Sequence, residues 1–143
     1  MVDAYLDSSA TVKLFLDDEG DDHDVRLVIG ASGVVVTSRL TFVETAAALA
    51  AARRSGRISA DDHGLAMADF DLTWAAMEIV EITDQVARDA AEVADTFGLR
   101  AGDAIQLASV RRIATASTVL IAWDGRLRDA AIASGIACYP PAA

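Results

Sequence analysis

The chain is poor in the residues that most often announce a chemistry. Its single cysteine, Cys138, has no partner for an internal disulfide, and its two histidines, His23 and His63, stand among acids with no nucleophile or second ligand nearby. A histidine-based ribonuclease or a thiol enzyme needs a better-furnished neighbourhood than either offers. Both histidines therefore read as solvated, and Cys138 reads as a small core residue that fits a reducing compartment. No glycine-rich phosphate loop, repeat or low-complexity linker occurs. The longest uncharged stretch, 130–143, is too short and too broken by Gly and Pro to span a bilayer. The start Met-Val-Asp-Ala-Tyr-Leu-Asp lacks the basic residues and apolar core of a signal peptide. The expectation is a cytoplasmic protein with no membrane role. With 143 residues, 53% of them hydrophobic, residues 1–143 fit one domain with a full core.

Basic residues are also scarce: 12 against 22 acids, for a net charge of −10. Phosphate contacts usually come from Lys and Arg, so this balance argues against a nucleic-acid partner. The distribution softens the objection. Asp17, Asp18, Glu19, Asp21, Asp22 and Asp24 form one acidic run, without which 16 acids face the 12 basic residues. Lys13 is the only lysine; Arg53, Arg54 and Arg57 cluster, as do Arg111 with Arg112 and Arg126 with Arg128. Helix ends and solubility explain such clusters without a ligand.

Short apolar strands alternate with helical patterns. Val2–Leu6 reads as a strand and Ser9–Leu16 as a helix. The acidic run reads as a solvated loop entering a short helix near Val25–Ile29. Strand Val34–Thr37 follows, then an Ala-rich helix Thr41–Ser55 ended by Gly56. Ser59 to Asp62 resembles a capping box opening a helix to Trp74. Glu78–Ile82 alternates as a strand, Thr83 caps a helix through Phe97, and Asp103–Ile113 is helical. Thr118–Ala122 is a strand, Arg126–Ser134 a helix, and Ile136–Tyr139 a last short strand. Such alternation gives an α/β fold with a mostly parallel sheet and helices on both faces. Ligands bind beyond the C-terminal strand ends of such sheets.

Four isolated acids stand out against this pattern. Asp7 closes Val-Asp-Ala-Tyr-Leu; Glu44 is the only charge from Leu40 to Ala52; Asp103 is the only one between Arg100 and Arg111; Asp124 ends the uncharged run from Ile113 to Trp123. Apolar segments tolerate a carboxylate poorly unless it is paired, hydrogen-bonded or metal-bound. Asp7 and Asp124 follow the first and fourth strands, and Glu44 and Asp103 lie early in their helices, so one sheet edge can hold all four. Carboxylates brought together repel and need a cation, which suits Mg²⁺ or Mn²⁺ and phosphoryl chemistry. Each acid also has a plain structural reading. Asp7 can cap a helix, Asp103 with Gln106 has the form of a capping box, and Asp124-Gly125 is a turn signal. Glu44 is not a cap; it shares a helix face with Leu40, Ala47 and Ala48. Met67, Phe70, Trp74 and Met77 fall at helical spacing, which points to core or interface.

Tyr5-Leu6-Asp7-Ser8-Ser9-Ala10, followed by Val12-Lys13-Leu14, resembles the opening of PIN-domain nucleases. Leu40-Thr41-Phe42-Val43-Glu44 resembles their second motif, Leu99 to Ala108 the third, and Leu120-Ile121-Ala122-Trp123-Asp124-Gly125-Arg126-Leu127 the fourth. Order, spacing and length resemble the VapC type of bacterial toxin across essentially the whole chain. The resemblance implies a PIN-like three-layer fold with a central sheet of four to five strands. It makes Asp7, Glu44, Asp103 and Asp124 the catalytic, metal-binding acids, with Ser9 an auxiliary polar group. It implies Mg²⁺- or Mn²⁺-dependent cleavage of RNA, a homodimer, and inhibition by a cognate antitoxin protein. Trp123 stands where an aromatic such as Phe is more usual and Gln106 where His is common; both departures bear on the pocket wall, not on the acids.

Other readings fit less well. A haloacid-dehalogenase-type phosphatase needs a second Asp where Ser9 stands, and a phosphorelay receiver needs a late-strand Lys that this chain lacks. A PIN nuclease of RNA maturation, and a module that binds RNA or a partner without cleaving, remain as alternatives.

Overall fold

The computed structural model describes residues 2–16 and 21–141. Twelve elements follow in chain order: Val2–Leu6 (β1), Ser8–Lys13 (α1), Asp21–Gly30 (α2), Ser32–Ser38 (β2), Arg39–Arg54 (α3), Ala60–Ala75 (α4), Glu78–Val80 (β3), Asp84–Phe97 (α5), Ala101–Ile113 (α6), Thr118–Ile121 (β4), Gly125–Ala133 (α7) and Ala137–Tyr139 (β5). The five strands form one sheet in the order β3-β2-β1-β4-β5, and every neighbouring pair is parallel. The α/β class and the parallel sheet expected from the alternation are therefore observed.

The central strand β1 has no wet face: Ala4, Tyr5 and Leu6 are fully buried, as strands covered by helices on both sides must be. Tyr5 points into a core shared with α5, α6, β4 and α7 (Val86, Leu107, Leu120, Leu127). Ala4 and Leu6 point to the other side, against Ala10, Leu14 and Val25. A third cluster joins Leu16, Leu49 and Ala52 to Met67. Phe70 is fully buried and its ring meets those of Phe15, Phe42 and Trp74 at 5.4–5.8 Å. The helical spacing of Met67, Phe70 and Trp74 thus marks core packing.

Capping residues set most helix starts. Ser38, Ser59 and Thr83 each accept a backbone N–H from the first turn of α3, α4 and α5, as small hydroxyl side chains do. Gly98 ends α5 at φ +66°, a left-handed position that suits glycine. Because Ser38 serves as cap, α3 starts at Arg39, earlier than the expected Thr41. The acidic run is only partly covered. Residues 17–20 and the side chains of residues 21–24 lie outside the described residues, and so does the exposure expected of His23; from Asp21 on the loop reading is corrected, because residues 21–24 open α2, where acids suit the helix N-terminus. His63 is half-buried rather than solvated. Among the described residues no helix is long and apolar enough to cross a membrane.

Candidate metal centre

Parallel strands end at one edge, and that edge gathers the four acids. Asp7 follows β1 directly, and its N–H donates to the Ile121 carbonyl of β4 at 3.2 Å. Its side chain is 4% exposed. Its Oδ1 accepts from the Ala10 N–H at 2.9 Å and from the Ser9 hydroxyl at 2.7 Å. Asp7 is thus the cap of α1, yet capping does not exhaust it, since both bonds fall on one oxygen. Burial pushes its pKa up to about 6 against these two bonds, and the charges of Asp103 and Glu44 push the same way.

Glu44, on α3, is exposed and accepts the Ser8 hydroxyl at Oε1, 2.7 Å away. Its carboxylate lies over the first turn of α6, where a Cβ added at Gly102 would sit 3.6 Å from Oε2. Positive partial charge at that helix end favours a carboxylate there. Asp103 stands in the same turn. Burial raises its pKa first, then the charges of Asp124 and Glu44, while Arg100 lowers it. The capping-box reading of Asp103 with Gln106 does not hold: α6 begins at Ala101, its cap position is Arg100, and no side chain caps it. Asp124 is more than a turn residue, since it caps α7 by accepting the Leu127 N–H at 3.0 Å.

Asp7, Glu44 and Asp103 therefore feel one another's charge, and Asp124 reaches Asp103. Among the described residues no three are drawn together as a closed metal-holding set. A cation does stand at the mouth: the Arg100 guanidinium is 3.8 Å from both Asp103 and Asp124, with its side chain 80% exposed. The donors are all carboxylate oxygens, which is the chemistry a hard divalent cation takes. Sequence reasoning passed over Arg100, although it sits inside the third motif.

A polar layer lies directly beneath. Gln106 is 2% exposed; it is buried, not part of a pocket wall. Its amide contacts the Tyr5 hydroxyl at 2.7 Å, Ser8 Oγ at 3.1 Å and Thr41 Oγ1 at 3.0 Å. Burial holds the Tyr5 phenol well above its ordinary pKa, so it stays a donor. The signal for this layer was Gln106 itself, a polar side chain in the apolar face of α6. Trp123 is half-buried and faces Lys13, whose Nζ is 4.9 Å from the ring centroid.

Residues 4–133 match the PIN domain family. The protein belongs to the PIN-domain family. Among its relatives, this PIN domain is 35% identical over 136 residues to Ribonuclease VapC45 of Mycobacterium tuberculosis, spanning 95% of this chain and 94% of that one. Its fold is shared with FitAcB from Neisseria gonorrhoeae (TM-score 0.71, 16% identity, 96% of this chain and 97% of that one). It is shared too with Mycobacterium tuberculosis VapC20, described as a sarcin-ricin loop cleaving toxin (TM-score 0.66, 19% identity, 93% and 95%).

Proposed function

We propose that this PIN-domain protein is a divalent-metal-dependent endoribonuclease and the toxin of a toxin–antitoxin pair. One observation carries the reading: Asp7, Glu44, Asp103 and Asp124, from four separate stretches, stand around one sheet edge, where burial and their neighbours' charges raise the proton affinity of Asp7 and Asp103. A fold gathers like charge in this way where a cation is to be held. The ribonuclease name of a relative 35% identical over most of the chain gives the substrate class. Complexes among the structural neighbours, such as VapBC2 from Rickettsia felis, support a protein antitoxin.

In this reading Asp7, Glu44, Asp103 and Asp124 hold Mg²⁺ or Mn²⁺. The ion supplies Lewis acidity, acidifying a water and offsetting charge on the phosphate. The chain supplies the rest. Ser9 and the Ala10 N–H fix one oxygen of Asp7. Arg100 lies 3.8 Å from its carboxylates, at the outer limit of an ion pair, and is mostly exposed, so it can turn to a phosphate oxygen once those acids are neutralised. A second copy of the chain completes the expected homodimer.

The test is cleavage of structured and single-stranded RNA by protein freed of its inhibitor. Mg²⁺ or Mn²⁺ should support cleavage and EDTA should stop it. Asp103→Asn should remove activity and leave the metal-free fold at least as stable as wild type, because it removes a repulsion. Cleavage that survives EDTA unchanged overturns the proposal.

A further inference from the structure

The polar layer under the acids has one consistent arrangement of protons. Two of its ends can only accept. Leu6 O, on β1, lies 2.6 Å from Thr37 Oγ1, and the Glu44 carboxylate lies 2.7 Å from Ser8 Oγ. Thr37 and Ser8 must therefore point their hydroxyl protons at those ends. Thr37 has then spent its proton, so the 2.8 Å contact between Thr37 and Thr41 is filled by the Thr41 hydroxyl. Ser8 and Thr41 now offer Gln106 only lone pairs, at 3.1 and 3.0 Å. The amide NH₂ must face them, its Oε1 must face Tyr5, and Tyr5 donates at 2.7 Å. Each of these six contacts then holds one proton. The reversed amide would leave either the Ser8–Glu44 or the Ser8–Gln106 contact without a proton.

Position 106 thus needs two donors and one acceptor in a single plane, which a primary amide provides. We infer that Gln106 is a positioning residue for the metal-binding edge: it makes Ser8 an obligate donor to Glu44 and so fixes the one exposed carboxylate of the four. The chain of bonds also ties together β1, β2, α3 and α6, the elements that carry or flank Asp7, Glu44 and Asp103. A free hydroxyl could turn either way; with Gln106 beneath it, Ser8 has one direction left. The inference rests on the reading of Glu44 as a metal ligand.

Mn²⁺ affinity of the RNA-free protein, measured by calorimetry, tests it without reference to cleavage. Wild type should bind and Glu44→Gln should bind more weakly. If wild type does not bind, or Glu44→Gln binds as well as wild type, the metal reading and this inference fall together. Given that loss, Ser8→Ala should weaken Mn²⁺ binding by about 10-fold, as loss of a partner to a ligating carboxylate does. Gln106→Glu keeps the side chain's shape but, ionised, cannot donate; Ser8 then turns inward and the same loss is expected. Combined with Ser8→Ala, Gln106→Glu should add little further loss, because both act on one bond. Losses that add in full, or a Ser8→Ala variant with wild-type affinity, overturn the relay while leaving Glu44 a ligand. Ser8 is only partly buried, so this arm remains decisive should Gln106→Glu fail to fold.

Discussion

At the scale of single residues, Asp7 carries two demands that pull apart. Its backbone position and its Oδ1 begin α1, and its charge is the one proposed for the metal site. In the metal-free protein its pKa is raised by burial to about 6, whereas in the unfolded chain it titrates near ~4. Between those values the folded state holds a proton that the unfolded state has lost, so stability falls as pH rises through the window. The contribution is on the order of 2–3 kcal/mol once the group is fully ionised. Asp7→Asn keeps an oxygen for Ser9 and Ala10 but has no charge to bury. With EDTA present, thermal melts should show the variant gaining on wild type from about pH 4 to pH 7. Parallel melting curves across that range would refute the assignment. The acids were legible in the sequence because a lone charge in an apolar run is conspicuous. Ser8 and Thr41 were not, since a hydroxyl in such a run has many ordinary uses and only three-dimensional contact shows which one applies.

At the scale of elements, local chemistry foretold most boundaries and missed where partners were distant. Ser59, Thr83 and Gly98 are read directly, because caps act on residues three or four away. The start of α6 was misplaced because Asp103 and Gln106 imitate a capping box, while the helix in fact runs back to Ala101 with no side-chain cap. That turn is flanked instead by charge: Glu44 rests over Gly102, and the Arg100 guanidinium lies 3.8 Å from Asp103. Helix α4 shows the complementary case. Its face is fixed by Phe70, fully buried between Phe15, Phe42 and Trp74. Phe70→Ala should cost about 3–5 kcal/mol, as truncation of a buried aromatic does. Urea unfolding would measure it; a loss below about 1 kcal/mol would mean that α4 is not held by this contact.

At the scale of the whole molecule, α3 and α4 present an apolar surface beside the acidic edge. Val43, Leu65 and Leu72 are 63%, 72% and 75% exposed. A helix laid on that surface, with an arginine reaching toward the acids, fits the inhibition proposed for an antitoxin. Co-expression with the cognate antitoxin should yield a complex. Leu65→Ser with Leu72→Ser should weaken it by 10-fold or more while leaving RNA cleavage by free protein intact, since exposed apolar anchors carry binding but not chemistry. Glu44→Ala or Asp124→Ala should also weaken a partner that inserts arginine. Affinity untouched by both sets of changes would place the antitoxin elsewhere. The sheet order could not be read from the strands one by one, because parallel neighbours carry no turn signal between them; the order β3-β2-β1-β4-β5 emerges only in three dimensions.

That strand order has a consequence in time. β1 is made before every other described element, yet it lies at the centre of the sheet, paired on one side with β4, whose residues are made more than a hundred positions later. Asp7 is separated from Asp103 and Asp124 by most of the chain. An unfinished chain therefore holds the first of the candidate acids without the sheet edge that gathers them. For the proposed ribonuclease, the centre of this sheet keeps the candidate site unassembled until β4 has been made.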